Sequence, residues 1–234
     1  MSINPIICAI DTTDIAKAKA LAGQLAGSVG ALKLGLEFFT ANGAAGVGQI
    51  ASANFPVFLD LKFHDIPNTV AKAVKATANI DAFMMTVHTQ GGQGMMKAAA
   101  EAASENAAKT GKKRPLIVGV TILTSLDQND LGNIGITIPL NDQVVRLAEL
   151  AQKSGLDGVV CSPHEIKRIR EVCGPDFTLV VPGIRPMGSA SSDQKRVMTP
   201  KEALDKGANY LVIGRPIMES ADPKAAASAI LGTL

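Results

Sequence analysis

The sequence is poor in aromatic residues: it contains no tryptophan, one tyrosine and seven phenylalanines. Surfaces that bind single-stranded nucleic acid stack the bases on aromatic side chains, so this composition argues against such a surface. A large excess of charge is missing as well, because the net charge is +2 and basic residues cluster only briefly, at Lys112–Arg114. We therefore expect no nucleic-acid partner.

Cysteine and histidine are also scarce, with three residues of each. Cys8 and Cys161 lie in apolar runs, and the three cysteines share no metal-ligand spacing. An odd number of thiols, two of them in apolar surroundings, predicts buried free cysteines in a reducing compartment. The histidines are scattered along the chain, which does not favour a tight metal site.

Long apolar runs are absent. No stretch approaches the roughly 18 uninterrupted apolar residues that indicate a transmembrane helix. Residues 1–11 lack a basic segment followed by an apolar run, so no signal peptide is predicted. From these absences we expect a cytoplasmic protein without a membrane partner.

The sequence does contain a series of short apolar runs that are typical of buried strands. These runs are Ile6–Ile10, Ala31–Leu34, Val57–Leu61, Ala82–Val87, Leu116–Val120, Gly158–Cys161, Thr178–Val181 and Tyr210–Ile213. Eight such strands alternating with helical patterns predict an α/β fold, a (β/α)₈ TIM barrel. No linker divides the chain, so we expect one domain over residues 1–234.

A doubly wound α/β sheet is the alternative fold. Its first strand-to-helix turn should carry a G-x-G-x-x-G motif, which approaches a bound dinucleotide closely. The corresponding turn here, Asp11–Asp14, contains no glycine. This difference favours the barrel.

Several helix starts are marked by N-cap residues and prolines. Asp14 precedes a predicted helix over Ile15–Leu25, and Asn68-Thr69 precede one over Val70–Ala78. Ser162–Glu165 and Thr199–Glu202 both have the capping-box pattern with proline at the second position. Asp222-Pro223 is expected to open the last helix.

The central motif of the chain is the stretch Phe58–Thr69, in which a buried strand runs into a cluster of charges. On a strand, Asp60 and Lys62 share one face and lie about 7 Å apart along the chain. Asp65 follows just beyond the strand. Charges at the end of an apolar strand are costly unless they are paired or used in chemistry, although a surface ion pair is the simpler interpretation.

The barrel fold predicts that functional side chains lie at the carboxyl ends of the strands. Polar residues do occur within or just after the last residues of most of the predicted strands. They are Asp11, Lys33, Asp60, Lys62, His88, Thr121, Thr124, Ser125, Arg185 and Arg215. A site at one end of the barrel is therefore expected.

Two of these strand ends predict an anion site. The loops after the seventh and eighth strands often hold phosphate in such barrels. Gly183 and Gly214 permit close backbone approach, while Arg185 and Arg215 offer bidentate donors. Gln194, in the small polar loop that follows, is expected to reach the same anion; solvated arginines are the alternative interpretation.

The sequence does not favour a catalytic role for His88 or His64. His88 follows the fourth strand next to glycines, where a structural role is favoured over general-acid catalysis. His64, within the central motif, has no evident partner and is given no chemical role.

Four segments together resemble the bacterial type of the orotidine 5′-phosphate decarboxylase family: Asp60–Thr69, Leu123–Ser125, Val181–Pro186 and Val212–Pro216. The ten-residue central motif is the most specific of the four. The resemblance implies decarboxylation of orotidine 5′-monophosphate to UMP and CO₂, the last step of de novo pyrimidine nucleotide synthesis. It also implies that neither cofactor nor metal takes part.

The same resemblance implies roles for the charged residues. Lys62 would stabilise the carbanion at C6 and then protonate it. Asp60 and Asp65 would keep Lys62 cationic, and Lys33 would complete the row of charges. Asp65 and Thr69 would come from the neighbouring subunit of a homodimer with shared active sites.

The family resemblance further implies a set of residues that contact substrate. Asp11, Lys33 and Thr69 would hold the ribose, Thr124 and Ser125 the pyrimidine edge, and Arg185, Gln194, Gly214 and Arg215 the phosphate. The full substrate-binding set is Asp11, Lys33, Asp60, Lys62, Asp65, Ile66, Pro67, Thr69, Thr124, Ser125, Pro182, Arg185, Gln194, Gly214 and Arg215.

Two other functions remain open from the residues. A sugar-phosphate decarboxylase or hexulose-phosphate synthase of the same superfamily shares the Asp-x-Lys-x-x-Asp pattern but requires Mg²⁺. The segment Ile66–Thr69 favours the nucleotide enzyme over that branch. A catalytically silent nucleotide-binding barrel is the second alternative, and the complete set Asp60, Lys62 and Asp65 argues against it.

Overall fold

A computed structural model describes residues 4–51, 55–186 and 198–234 of the chain. Its strands are β1 (Ile6–Ile10), β2 (Ala31–Gly35), β3 (Val57–Phe63), β4 (Ala82–His88), β5 (Leu116–Val120), β6 (Gly158–Val160), β7 (Thr178–Val181) and β8 (Tyr210–Ile213). They form a closed parallel barrel in chain order, with β8 paired to β1. The predicted (β/α)₈ barrel is confirmed.

Helices connect the strands on the outside of the barrel. They are α1 (Ile15–Leu25), α2 (Leu36–Ala51), α3 (Pro67–Ala76), α4 (Gly92–Thr110), α5 (Gln128–Asn133), α6 (Leu140–Lys153), α7 (Ile166–Cys173), α8 (Pro200–Asp205), α9 (Arg215–Met218) and α10 (Pro223–Leu231). Across 4–51, 55–186 and 198–234, none of these helices has the length and apolar character needed to cross a membrane.

Three predicted helix starts are confirmed. The Asp14 carboxylate accepts hydrogen bonds from the first turn of α1, and Asp222 does the same for α10. Thr199 and Glu202 form a complete capping box at α8. Each cap satisfies backbone N–H groups that have no partner within the helix.

Two predicted helix starts are wrong. Helix α3 begins at Pro67, so Asn68 and Thr69 lie in its first turn instead of preceding it; proline is preorganised for the first helical position and needs no side-chain cap. Helix α7 begins only at Ile166. The Glu165 carboxylate accepts from the Ser162 N–H at 2.7 Å, but the residues between them form a turn that precedes the helix.

Side chains that point into the barrel interior show which residues reach the carboxyl end of the barrel. Ala9, Ala31, Phe58, Met84 and Val212 belong to a small cluster of buried apolar side chains inside the barrel. Because side chains alternate along a strand, the residues two positions later share that face and lie nearer the carboxyl end. These residues are Asp11, Lys33, Asp60, Thr86 and Gly214.

The larger core lies between the sheet and the helices and contains most other buried apolar residues. Cys8, Cys161 and Cys173 are all buried thiols outside any disulfide, as predicted for the first two. Burial, with a further contribution from Asp11, raises the pKa of Cys8 to about 12, so this thiol stays protonated.

Candidate active site

A row of alternating charges lies at the carboxyl end of strands β1 to β3. The Lys62 ammonium is 2.9 Å from Oδ2 of Asp60, and the Lys33 ammonium is 3.6 Å from the same oxygen. Lys33 also lies 3.8 Å from Oδ1 of Asp11. Asp60 therefore lies between two cations.

Asp60 is the most buried member of this row, with 8% of its surface exposed. Burial by itself would raise the pKa of Asp60. The charges of Lys33 and Lys62, with hydrogen bonds from Lys62 and Thr86, outweigh burial and hold that pKa below its ordinary value. Asp60 is therefore a carboxylate at neutral pH.

The backbone of Lys62 departs from a regular strand. Its φ is +52°, and the pairing of β3 with β4 shifts register between Leu59 and Phe63. The predicted strand ended at Leu61, whereas β3 continues through this irregular segment to Phe63. The left-handed conformation thus occurs at the register shift, and the Lys62 ammonium contacts Asp60 from this irregular segment.

Asp65 lies apart from this row. Within the described part of the chain its carboxylate accepts one hydrogen bond, from the N–H of Ile66 at 2.7 Å, and forms no ion pair. The side chains from His64 to Thr69 are all exposed, and Ile66 is 65% exposed. The structure thus places Asp65, Ile66, Pro67 and Thr69 at the exposed surface of their own chain.

A small apolar cavity of about 170 Å³ opens beside Lys62. Its lining consists of Lys33, Phe58, Asp60, Lys62, Val120, Ile122, Leu123, Thr124, Val160, Cys161, Pro182 and Val212. Thr124 and Pro182 therefore face this cavity as expected for binding residues, whereas Ser125 is exposed and does not line it.

A larger and more polar cavity of about 570 Å³ adjoins the first. Its lining consists of Ala9, Asp11, Lys17, Lys33, Pro182, Gly183, Arg185, Val212, Gly214, Arg215, Met218 and Glu219. Lys33, Pro182 and Val212 line both cavities. The two arginines and two lysines make the larger cavity suited to an anion.

Two glycines line the larger cavity. Gly183 has a φ of +76°, which other residues rarely adopt. A Cβ on Gly214 would stand 3.4 Å from the Cβ of Ala9 and 3.7 Å from Oδ2 of Asp11. Gln194, which the sequence assigned to the same anion, lies outside the described residues.

The two histidines near the site contact each other. The rings of His64 and His88 lie 5.4 Å apart, and Nδ1 of His88 is buried and has no hydrogen-bond partner among the residues that the structure describes. Burial lowers the pKa of His88, and the neighbouring His64 and Lys62 lower it further. His88 is thus uncharged at neutral pH.

Lys17 and Thr86 are among the residues near the site that were not identified from the sequence. Lys17, on α1, lines the larger cavity. Thr86, on β4, donates a hydrogen bond to Asp60 and accepts one from the Lys62 N–H. Neither has a distinctive sequence pattern, although the position of Thr86 two residues after the interior Met84 indicates the inward face.

The donor set for a metal is limited. Among residues 4–51, 55–186 and 198–234, no group of three or more His, Cys, Asp or Glu side chains is arranged to hold a metal ion.

Comparison with known proteins identifies the family. The sequence profile of the "Orotidine 5'-phosphate decarboxylase / HUMPS family" matches residues 4–230. The chain is 54% identical to the orotidine 5′-phosphate decarboxylase of Paramagnetospirillum magneticum, over 99% of both chains. It is 51% identical to that of Rhodospirillum rubrum, over 100% of this chain and 95% of the relative.

A solved structure gives the same result. The crystal structure of orotidine 5′-phosphate decarboxylase from Lactobacillus acidophilus superposes with a TM-score of 0.87 at 37% identity, covering 97% of each chain. Together with the matching profile and the curated relatives, this shows that the chain belongs to the orotidine 5′-phosphate decarboxylase / HUMPS family.

Proposed function

We propose that this chain, acting as one barrel domain, converts orotidine 5′-monophosphate to UMP and CO₂ without a metal or cofactor. The observation that carries the proposal is the Lys62 ammonium, 2.9 Å from Asp60 and lining an apolar cavity that adjoins a cationic one. The names of the curated relatives support the same reaction.

The proposed decarboxylation requires a cation beside C6 of the pyrimidine. When the bond between C6 and the carboxylate breaks, CO₂ leaves and the electron pair remains on C6, in the plane of the pyrimidine. An ammonium beside C6 stabilises this charge as it develops. Lys62 then transfers a proton to C6 and recovers one from solvent after the product leaves.

The two cavities suggest how the substrate lies. The small apolar cavity suits the pyrimidine, with Thr124 at its polar edge. The larger cavity suits the phosphate, with Arg185, Arg215 and Gly214 as donors and Gln194 assigned by family resemblance. Lys33 and Asp11, which lie near the junction, are then within reach of the ribose hydroxyls.

Binding of the phosphate contributes to the rate as well as to affinity. Contacts with a remote part of the substrate stabilise the orientation that the reacting part needs. Arg185 and Arg215 would fix one end of the nucleotide so that C6 lies beside Lys62. Repulsion between Asp60 and the substrate carboxylate is a further contribution, but the mechanism does not depend on it.

The exposed part of the central motif supports a homodimer with shared active sites. Asp65, Ile66, Pro67 and Thr69 are exposed, and Asp65 forms no ion pair with the described residues of its own chain. An exposed isoleucine beside an unpaired carboxylate fits a contact with a second copy. Asp65 and Thr69 would then complete the partner's site, with Asp65 near the partner's Lys62 and Thr69 near its ribose.

The proposed reaction is the last step of de novo pyrimidine nucleotide synthesis, in the cytoplasm. The related Mg²⁺-dependent sugar-phosphate reaction is disfavoured by the contacts of Asp60. Its Oδ1 accepts from Thr86 and its Oδ2 faces Lys62 and Lys33, so the carboxylate is already occupied by hydrogen bonds and cations.

The test is the loss of orotidine 5′-monophosphate absorbance with purified protein, with and without EDTA. We expect turnover to survive EDTA and to fall by at least about a thousandfold in Lys62→Ala, because the cation beside C6 is gone. Lys109→Ala, an exposed lysine in the last turn of α4, is the matched control and should keep full activity.

Other results would overturn the proposal in different ways. An inactive wild-type protein that still binds UMP would indicate a silent nucleotide-binding barrel. Activity that disappears in EDTA and returns with Mg²⁺ would indicate the sugar-phosphate branch.

A further inference from the structure

Thr86 is the residue through which β4 contacts the charged row. Its side chain is completely buried. The hydroxyl donates to Oδ1 of Asp60 at 3.0 Å and accepts from the backbone N–H of Lys62 at 2.8 Å. Because a threonine hydroxyl has one proton, donation to Asp60 fixes its orientation and leaves a lone pair for the Lys62 N–H.

The contact occurs where the sheet is irregular. The segment from Leu59 to Phe63 lies opposite the shorter segment from Met85 to Val87, so β3 is bulged at this point. Lys62 lies in the bulge with a φ of +52°, which is disfavoured for a residue with a Cβ atom. A bulged residue loses its regular partner in the sheet, and the Thr86 hydroxyl supplies the acceptor instead.

We propose that Thr86 is a positioning residue that sets where the Lys62 ammonium stands beside the small cavity. One oxygen holds both the backbone from which the Lys62 side chain extends and the carboxylate that its ammonium contacts. The ion pair between Lys62 and Asp60, whose atoms lie 2.9 Å apart, is therefore held in place at both residues. This inference rests on the proposed function, in which Lys62 acts on C6.

Thr89 provides a matched control on the same side of the barrel. It follows β4 directly, is completely buried, and its hydroxyl donates to the carbonyl of Val120 at 2.8 Å. Its hydroxyl contacts neither Asp60 nor Lys62 in the described structure. If the hydroxyl of Thr86 served the fold alone, Thr86→Val and Thr89→Val would have the same effects.

The first readout compares the effect of Thr86→Val on kcat with its effect on the affinity for UMP. Thr86→Val keeps the shape of the side chain but leaves the Lys62 N–H and Oδ1 of Asp60 without their shared partner. A displacement of about 1 Å at a reacting group can cost about a hundredfold in rate, so we expect kcat to fall at least about tenfold. Affinity for UMP, measured by calorimetry, should change by less than about threefold, because the phosphate contacts remain.

The second readout is the acid limb of the kcat/KM profile. Asp60 faces Lys33 on β2 and Lys62 on β3, with Asp11 beyond Lys33 and His88 on β4 nearby. All of these groups remain in Thr86→Val. A hydrogen bond to a carboxylate favours its charged form, so losing this one raises the pKa of Asp60 and moves the acid limb to higher pH.

The inference is supported if Thr86→Val shows both changes, Thr86→Ser recovers kcat to within about fivefold of wild type, and Thr89→Val shows neither change. It is overturned if Thr86→Val matches Thr89→Val, if the serine fails to restore kcat, or if the loss appears in UMP affinity. Should Thr86→Val fail to fold, Thr86→Ala compared with Thr86→Ser gives the same decision.

Failure of the inference can be told from failure of the proposed function. If Lys62→Ala abolishes turnover while Thr86→Val leaves it intact, only the positioning role is wrong. If Lys62→Ala retains turnover, the proposed function is wrong before Thr86 is considered.

Discussion

Asp60 and Asp65 belong to the same short motif but have opposite surroundings. Asp60 is buried, accepts from Thr86 and lies against two lysines. Asp65 is exposed, and in the described structure it accepts only from the N–H of the next residue. One chain supplies all the contacts described for the first carboxylate, whereas the second carboxylate fits a contact with another copy.

The difference follows from where each residue lies relative to the barrel. Asp60 shares the interior face of β3 with Phe58, so the barrel encloses it. Asp65 comes after Phe63, where the chain turns outward into α3. A buried carboxylate requires cations, which Lys33 and Lys62 supply, whereas an exposed one is stable in water without them.

The largest expected effects come from removing each charge. Asp60→Asn should lower kcat by at least about a hundredfold, because Lys62 loses its contact and its orientation. Asp65→Asn should lower kcat less, yet still by at least about tenfold, because it acts on the partner's Lys62 through the dimer. Steady-state assays at saturating substrate measure both. An Asp65→Asn protein with full activity would remove Asp65 from the site.

The proposed contact through the exposed part of the central motif can be tested by measuring association of the dimer. Ile66→Ser should weaken the dimer at least about tenfold, since it removes apolar area from the proposed contact. Ile134→Ser is the matched control: Ile134 is 61% exposed, against 65% for Ile66, and lies elsewhere, after α5. Sedimentation equilibrium measures both. Equal effects from the two substitutions would contradict the assigned interface.

The smallest effect concerns stability and pH. Asp60 has a pKa below its ordinary value of 3.8, so its stabilising contribution is complete above that value and is lost as pH falls through the lowered pKa. The difference in unfolding free energy between wild type and Asp60→Asn should stay constant from about pH 7 to 5 and shrink below about pH 4. Urea unfolding across this range measures it; a difference that grows towards acid would contradict the assignment.

The fold was largely predictable because each strand is a compact apolar run. Eight runs and their order predict the barrel, and four of the eight predicted strands have the observed bounds. The end of β3 was predicted two residues too early because the charge of Lys62 was taken to end the strand, whereas the ends of β2, β4 and β6 were wrong by one residue. Lys62 can continue the strand because its side chain lines the small cavity of the candidate active site.

The site was less predictable in its details. Asp60, Lys62 and the arginine loops have a distinctive sequence pattern, whereas Thr86 is an ordinary strand residue by sequence. Its importance comes from a bulge between β3 and β4, and register shifts depend on tertiary packing. Ser125 shows the converse case, since it belongs to the expected pattern but does not line the cavity.

The most direct test of the account mixes two variants that are each impaired in activity. Lys62→Ala and Asp65→Asn are refolded together in equal amounts, so that half of the dimers contain one copy of each. Such a mixed dimer has one site with both residues intact, and the mixture should regain about one quarter of wild-type activity. If the mixture is no more active than the separate variants, Lys62 and Asp65 do not form one site across two chains.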